Sequence, residues 1–207
     1  PTYRLPWDIG DVPQASLGYI GTGIGIPISP AFSADRGAKE FDPSWLITLV
    51  LGHKWTDWFG VGGRLDFSLG PMNRQGWSDY LGVDVNFSYL IGMGPTLVFN
   101  PMPGGYIEPY FTIDGMFTRI GTAAGNEEGA VLDQEWAERR IQIGYNGVSF
   151  GSTLGVRFGN FAWELRYKHT AWLGFDVEGT NIKSDVKDAR LNQLIITFGV
   201  STGYDEG

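Results

Sequence analysis

The chain has 207 residues with 31 glycines, 14% aromatic and only 18% charged residues, and a formal net charge of −8. An acidic chain without a basic patch excludes nucleic acid as an expected partner. The lack of cysteine excludes disulfides and thiolate metal sites, and His53 and His169 are too few for a histidine-built zinc site. We therefore expect no metal and no cofactor.

The N-terminal quarter of the chain is rich in glycine and proline. Pro1–Pro13 is expected to be an irregular leader, and it lacks the cationic start and apolar run of a signal peptide. A glycine-rich first strand is predicted over Gln14–Ile26 and a long polar loop over Pro27–Pro43. The GTGIG segment in that strand does not predict a nucleotide-binding loop, because IPISP follows where a helix would have to begin.

The clearest strand pattern is Ser44–Trp55, which alternates with a period of two. Its odd positions are apolar in the middle and carry Trp45 and Trp55 at the ends. At ~3.3 Å per residue and a ~40° tilt, the two indoles lie roughly 25 Å apart along a barrel axis, the height of the apolar band of an outer-membrane barrel. Tryptophan suits a membrane–water boundary because its ring is apolar and its N–H needs a partner. The alternative is a strand of a soluble sandwich.

The same alternation predicts six further strands, separated by breaker residues. They are Phe59–Leu69, Tyr80–Phe99 with a kink at Gly94-Pro95, Tyr106–Gly121, Ile143–Phe158, Phe161–Phe175 and Ala189–Tyr204. Gly159-Asn160 predicts a two-residue hairpin turn that pairs Phe158 with Phe161 and Val156 with Trp163. A short helix is expected at Ala130–Arg140, inside a long charged loop.

The predicted connections alternate between long and short along the chain. Outer-membrane barrels have short periplasmic turns, longer outside loops and an even number of strands. We therefore predict an all-β fold, an eight-stranded antiparallel up-and-down transmembrane β-barrel that occupies residues 14–204 as one domain, followed by a tail at 205–207. Both termini would lie on the periplasmic side of the outer membrane of a Gram-negative-type bacterium.

The polar faces of the predicted strands carry charges of both signs in nearly equal number. The expected lumen network comprises Arg64, Asp66, Asp84, Glu108, Asp114, Arg157, Glu164, Arg166 and Lys168. Side chains just fill an eight-stranded barrel, and an unpaired charge inside it would be costly, so we predict a lumen closed by paired charges. The expected aromatic belts comprise Trp45, Trp55, Trp163 and Tyr167. A soluble lipocalin-like barrel with the opposite polarity is the alternative.

Three segments carry a resemblance to a known class of protein. They are GPTLVFNPMPGGYIEPYFTIDGMF, NGVSFGSTLGVRFGNFAWELRYKHT and the terminal LNQLIITFGVSTGY. They resemble the small outer-membrane barrels of the OmpW and OmpA/OmpX type, although here Asp-Glu-Gly follows the terminal Tyr204. The resemblance implies a non-enzymatic protein with a structural or surface-binding role, whose partners are membrane lipids, lipopolysaccharide and a protein at the outside loops. A narrow conduit for small apolar molecules is the second hypothesis.

The segment WELRYKHTAW resembles the histidine strand of the PagL lipid A deacylases, whose active site lies on the barrel exterior. By register, His169 faces the lipid and Ser152 on the paired strand is diagonal to it, with Glu178 as the remaining candidate for a third member. The serine that follows the histidine by two positions in that family is Ala171 here. A hydrolase needs a nucleophile hydrogen-bonded to its base. We therefore interpret His169 as a boundary histidine of the aromatic belt and keep a lipid A deacylase as the third hypothesis.

Overall fold

The computed structural model describes residues 16–28, 41–71, 73, 75, 85–103, 105–124, 142–177, 183–184 and 190–202. The expected leader, the C-terminal tail and the helix at Ala130–Arg140 lie outside these residues. Within the described part of the chain, no helix is long and apolar enough to cross a membrane.

Eight long strands form a closed antiparallel barrel. They are β1 (Ser16–Pro27), β2 (Ser44–Thr56), β3 (Phe59–Leu69), β4 (Val85–Phe99), β5 (Ile107–Ala124), β6 (Gln142–Phe158), β7 (Phe161–Val177) and β9 (Arg190–Thr202). A two-residue strand, β8 (Lys183–Ser184), pairs with the end of β7. Each long strand pairs with its neighbours in sequence, and the barrel closes where β9 pairs with β1. The predicted eight-stranded up-and-down barrel is confirmed.

The connections place all short turns at one end of the barrel. Asp57-Trp58, residues 100–106 and Gly159-Asn160 join β2 to β3, β4 to β5 and β6 to β7. Gly159 has φ +58°, the left-handed conformation that a two-residue hairpin turn requires, and Phe158 pairs with Phe161 as predicted. We call this the turn end, where β1 begins and β9 ends. The opposite, loop end carries the connections 28–43, 70–84, 125–141 and 178–189.

The barrel has an apolar exterior and a polar interior. Leu51 and Phe150 face outward and are 59% and 64% exposed, whereas Arg166 and Lys168 face inward and are each 1% exposed. Strand residues alternate between the two faces, so most apolar side chains face outward and the charged clusters face inward. This polarity excludes the soluble lipocalin-like alternative. It is the polarity of a barrel whose solvent is lipid.

Aromatic rings surround the exterior at the turn end. The Phe59 ring contacts Trp55 at 6.0 Å, Trp58 at 5.8 Å and Phe99 at 5.3 Å between centroids. A second group joins Phe198 to Phe161 at 5.7 Å and to Trp163 at 5.2 Å. Trp45, the second residue of β2, is 47% exposed and lies at the loop end. Trp45 and Trp55 thus lie at opposite ends of one outward face.

The strand β4 runs through Gly94-Pro95 without a change of register. Its pairing with β3 keeps the same offset on both sides, from Leu65↔Met93 to Val61↔Leu97. Its ladder with β5 lacks partners at these two residues. Because Pro95 has no N–H to donate, it cannot form the ladder hydrogen bond with β5, which explains the missing pairs there.

We expect Leu49→Arg to lower the free energy of unfolding by about 2–4 kcal/mol, because Leu49 lies midway between Trp45 and Trp55 on the lipid-facing side. Thr56→Arg, at the turn end of the same strand, should cost only about 0–1 kcal/mol, as charges near the interface do. Urea unfolding in lipid vesicles measures both. Equal, small effects would contradict membrane burial of this face.

Candidate functional site

The charged residues predicted for the lumen face the interior, apart from Asp84, which lies outside the described residues. Arg64, Asp66, Glu108, Asp114, Arg157, Glu164, Arg166 and Lys168 are all buried. Each lies at an inward position of its strand because the alternation fixes its face. The structure therefore gathers inside the barrel charged residues that the sequence distributes over four strands.

Two sets of ion pairs cross the lumen from β3 to β7, which lie on opposite walls with three strands between them on either side. Arg64 holds Glu164 with two parallel bonds, Nη1 to Oε2 at 3.1 Å and Nη2 to Oε1 at 3.2 Å. Two residues further along each strand, Asp66 accepts a hydrogen bond from Arg166. It also accepts one from the Lys168 ammonium at 3.3 Å. The two walls are thereby joined through the middle of the barrel.

Asp114 on β5 connects the two sets. Its Oδ2 accepts from the Arg166 guanidinium, and its Oδ1 lies 3.7 Å from Arg64 Nε. The central cluster thus holds three cations, Arg64, Arg166 and Lys168, and three carboxylates. A cluster with no net charge in a site that excludes water leaves no buried charge uncompensated.

Neutral hydroxyl groups donate further hydrogen bonds to two of the three carboxylates, Asp66 and Glu164. Thr48 donates to Asp66 at 2.9 Å, and Tyr110 donates to Glu164 at 3.0 Å. Thr197 donates to Glu164 at 3.4 Å and is itself bonded to the Tyr19 hydroxyl at 2.9 Å. These partners were not among the sequence-predicted site residues. The only indication in the sequence that these hydroxyl groups contact the charged cluster is that they lie at inward positions of their strands.

Glycines provide the space for the long charged side chains. A Cβ on Gly151 would meet the Asp114 carboxylate and would lie 2.7 Å from Arg166 Nε. A Cβ on Gly92 would lie 3.2 Å from Lys168 Nζ. At Gly155 the added atom would enter the ring of Tyr110. The high glycine content of the inner face therefore matches the large side chains opposite it.

A second ion pair lies inside the turn end. Arg157 Nη1 is 3.4 Å from Glu108 Oε2, which also accepts from the Asn100 amide at 3.2 Å. The Arg157 guanidinium lies 5.4 Å from the centroid of the Tyr110 ring, a cation–π distance. Tyr110 belongs to a buried cluster that also comprises Leu17, Tyr19, Val50, Val98 and Ala162, so mostly apolar side chains line the lumen here.

An aromatic pair lies inside the loop end. Phe41, which precedes β2, stacks on Trp172 of β7 with 6.4 Å between centroids and 8° between planes. Both rings are buried. Leu90 and Ile120, which face each other across β4 and β5, are 1% and 0% exposed. Apolar side chains thus cover the central charges from both ends.

The candidate hydrolase residues lie on the exterior, where the structure gives His169 a different partner. Its Nδ1 lies 2.6 Å from Oδ1 of Asn192 on β9, and the same oxygen accepts from the Tyr167 hydroxyl at 2.9 Å. Ser152 is opposite Tyr167 and diagonal to His169, as predicted. No hydrogen bond joins Ser152 to His169 in the described part of the chain, and Glu178 lies outside it. Nor is any group of three His, Asp or Glu side chains among the described residues arranged to hold a metal.

No protein-family model matches the sequence, and no curated protein matches it either. Solved structures do match the fold. Neisserial surface protein A gives a TM-score of 0.52 at 11% identity, over 89% of this chain and 95% of that one. Ail of Yersinia pestis, in complex with the heparin analogue sucrose octasulfate, gives 0.52 at 12% identity, over 90% and 99%. OprG of Pseudomonas aeruginosa gives 0.50 at 13% identity, over 92% and 98%.

The closed eight-stranded meander, the apolar exterior and the paired charges inside define a small transmembrane β-barrel of the outer-membrane type. At sequence identities of 11–13%, the similarity to the three solved barrels shows a shared fold and does not extend to function.

We expect Gly151→Val to destabilise the barrel by about 1–3 kcal/mol, because the new side chain must displace Arg166 from Asp114. Gly115→Val is the matched control, since the nearest atom to a Cβ there is Phe150 Cε1 at 4.0 Å. Urea unfolding in vesicles would contradict the tight packing of the cluster if the two variants unfolded alike.

Proposed function

We propose that this protein is an integral outer-membrane barrel with its turn end in the periplasm, its loop end outside, and a lumen that does not conduct. Its role is structural support of the membrane or binding at the outer surface. The proposal is supported most by the ion pairs that join β3 to β7 across the lumen.

A conducting barrel needs a continuous path of water. Here Arg64–Glu164 and Asp66–Arg166 occupy the middle of the lumen, and every one of these side chains is at most 4% exposed. Buried apolar side chains also line the lumen toward each end, among them Leu17 and Val98 at the turn end and Leu90 and Ile120 at the loop end. Ions would have to separate buried, hydrogen-bonded charge pairs to pass, which is strongly unfavourable.

The loop end is the part of the chain best suited to bind a partner. Its four connections, 28–43, 70–84, 125–141 and 178–189, are all longer than the turns at the opposite end. In outer-membrane barrels the longer connections face the outside. A rigid barrel that presents long loops from one end is the usual arrangement for recognition by loops.

We expect no steady ohmic current from the wild-type protein in planar lipid bilayers. The double variant Arg64→Ala and Arg166→Ala removes both guanidiniums that span the lumen, and it should admit water and produce a measurable leak. Arg119→Ala, an exposed arginine on the outer face of β5, is the matched control and should stay closed. Stable single-channel currents from the wild type would contradict the closed lumen.

We also expect no release of fatty acid from lipid A, since the imidazole of His169 is bonded to Asn192 and not to a hydroxyl nucleophile. The backbone N–H groups around Ser152 belong to paired strands and already donate to carbonyls of the neighbouring strands. They are therefore not available to stabilise an oxyanion. Release by the wild type that is lost in both His169→Ala and Ser152→Ala would establish a deacylase instead.

A further inference from the structure

We propose that the inner wall formed by β4, β5 and β6 binds individual water molecules at two positions beside the central ion pairs. The first position is formed by Arg64, Asp114 and Thr96, and the second by Thr112, Thr153 and Arg166. That this water is enclosed, and not part of a stream through the barrel, rests on the closed lumen proposed above.

Six buried polar atoms on the inner face have no hydrogen-bond partner among the described residues. They are Nε of Arg64 and of Arg166, Oδ1 of Asp114, and Oγ1 of Thr96, Thr112 and Thr153. Each of these residues is at most 2% exposed. A buried polar group without a hydrogen bond is strongly unfavourable, and native proteins satisfy such groups with ordered water where side chains do not. Bulk water is excluded from this part of the lumen, so individual bound molecules are the form that fits.

The strand register brings three of these atoms to the first position. Thr96 lies directly opposite Asp114 on β5, with roughly 5 Å between the Cβ atoms. On its other side Thr96 lies opposite Gly62 of β3, which makes it a diagonal neighbour of Arg64. Arg64 Nε and Asp114 Oδ1 are 3.7 Å apart, too far for a hydrogen bond and close enough for one water molecule to bond both.

The partners at the first position match the bonding capacity of one water molecule. The Nη atoms of Arg64 and the Oδ2 atom of Asp114 are bonded within the central cluster, whereas Nε–H and Oδ1 are left over. Water here accepts from Arg64, donates to Asp114 and bonds the Thr96 hydroxyl, and three bonds are usual for a buried water. Gly62 and Gly94, at inward positions beside Thr96, carry no side chain that would fill the space.

The second position begins two residues further along β5. Thr112 lies opposite Thr153 of β6, and Thr153 lies opposite Arg166 of β7. The three side chains are therefore adjacent on the inner face, with roughly 5 Å between neighbouring Cβ atoms. The Nη atoms of Arg166 are bonded to Asp66 and Asp114, so Nε–H is left as a donor. A water molecule here accepts from the guanidinium and bonds both hydroxyl groups.

The balance of charge selects a neutral ligand. The cations of the central cluster are already paired with its carboxylates. An anion would lie against Asp114 and a cation would lie against Arg64, so either would add an uncompensated buried charge. Water both donates and accepts. That is what a set of two N–H donors, one carboxylate oxygen and three hydroxyl groups requires.

The two water molecules extend the central network to all eight long strands. The charged side chains belong to β3, β5 and β7. The strands β1, β2 and β9 reach the cluster by direct bonds through Tyr19, Thr48 and Thr197. Thr96 of β4 and Thr153 of β6 join it through water. Bound water is thus a component of the network that closes the lumen.

Ordered density in a crystal structure of the folded, detergent-solubilised protein tests both positions. For the wild type we expect one peak within about 2.7–3.2 Å of Arg64 Nε, Asp114 Oδ1 and Thr96 Oγ1, and a second at such distances from Thr112 and Thr153 Oγ1. Thr96→Val removes a partner of the first water and should lose the first peak only. Thr153→Val should lose the second peak only, so each variant is the control of the other. A wild-type structure without a peak at a position would overturn the proposal for that position.

The sign of the stability change gives a second, independent measurement. If Thr96 bonds water, Thr96→Val loses that bond and raises the equilibrium constant for urea unfolding in vesicles about fivefold. If the hydroxyl has no partner, the same change removes an unfavourable group, and a constant that stays the same or falls would overturn the first position. Thr96→Ser keeps the hydroxyl and should keep the peak. Thr48→Val removes a hydroxyl that bonds Asp66 directly, so it should raise the constant while both peaks remain.

Bromide distinguishes water from an anion, because it takes the place of chloride and scatters anomalously. An anomalous peak at either position in crystals grown with bromide would overturn the assignment to water. Heat-modifiable migration of every variant reports whether the barrel is folded, so loss of a water site is separated from loss of the fold. Steady wild-type current together with both peaks would contradict the closed lumen alone. Absence of current together with missing peaks would contradict the bound water alone.

Discussion

The pairing of charges between β3 and β7 is the interaction on which the rest of the structure depends. Lipid satisfies no backbone hydrogen bond, so the strands must close into a barrel. Closure leaves an interior that side chains have to fill. Arg64 and Glu164 are 100 residues apart in the chain and meet there, as do Asp66 and Arg166. These contacts exist only in the closed barrel with its native stagger of strands.

Buried ion pairs add little net stability compared with apolar residues of the same size, yet removing one partner is strongly destabilising, by about 3–5 kcal/mol. Their contribution here is therefore to specificity. A slip of one residue between two strands would turn Arg64 or Arg166 toward lipid and bury an aromatic ring in the lumen. Glycines such as Gly151 and Gly92, which leave room for Arg166 and Lys168, reinforce the same register.

The alternation of residue types predicted which side chains face inward and which face outward. It did not predict which inward side chains pair across the lumen. Trp45 to Trp55 and Phe161 to Lys168 could be assigned outward or inward from a period of two, and Gly159-Asn160 predicted the pairing of β6 with β7. The choice of Asp66 for Lys168 depends on the stagger between strands that are not adjacent, which no local pattern encodes. The ring of Phe41 could not be placed on Trp172 for a similar reason, since it belongs to a connection without periodicity.

The outward face is apolar, small or aromatic nearly everywhere, and three of its polar exceptions lie next to one another. From Ile20 to Val200 the described lipid-facing positions are overwhelmingly apolar, small or aromatic. His169, Asn192 and Arg190 interrupt that pattern on two adjacent strands, and Asn192 bonds both His169 and Tyr167. Polar groups on a lipid-facing wall are unfavourable unless they bond one another or reach a polar headgroup. The hydrogen bond between His169 and Asn192 explains how the imidazole and the amide are tolerated on this face. It does not account for the adjacent arginine, whose charge is stable at this depth only beside an anion or water.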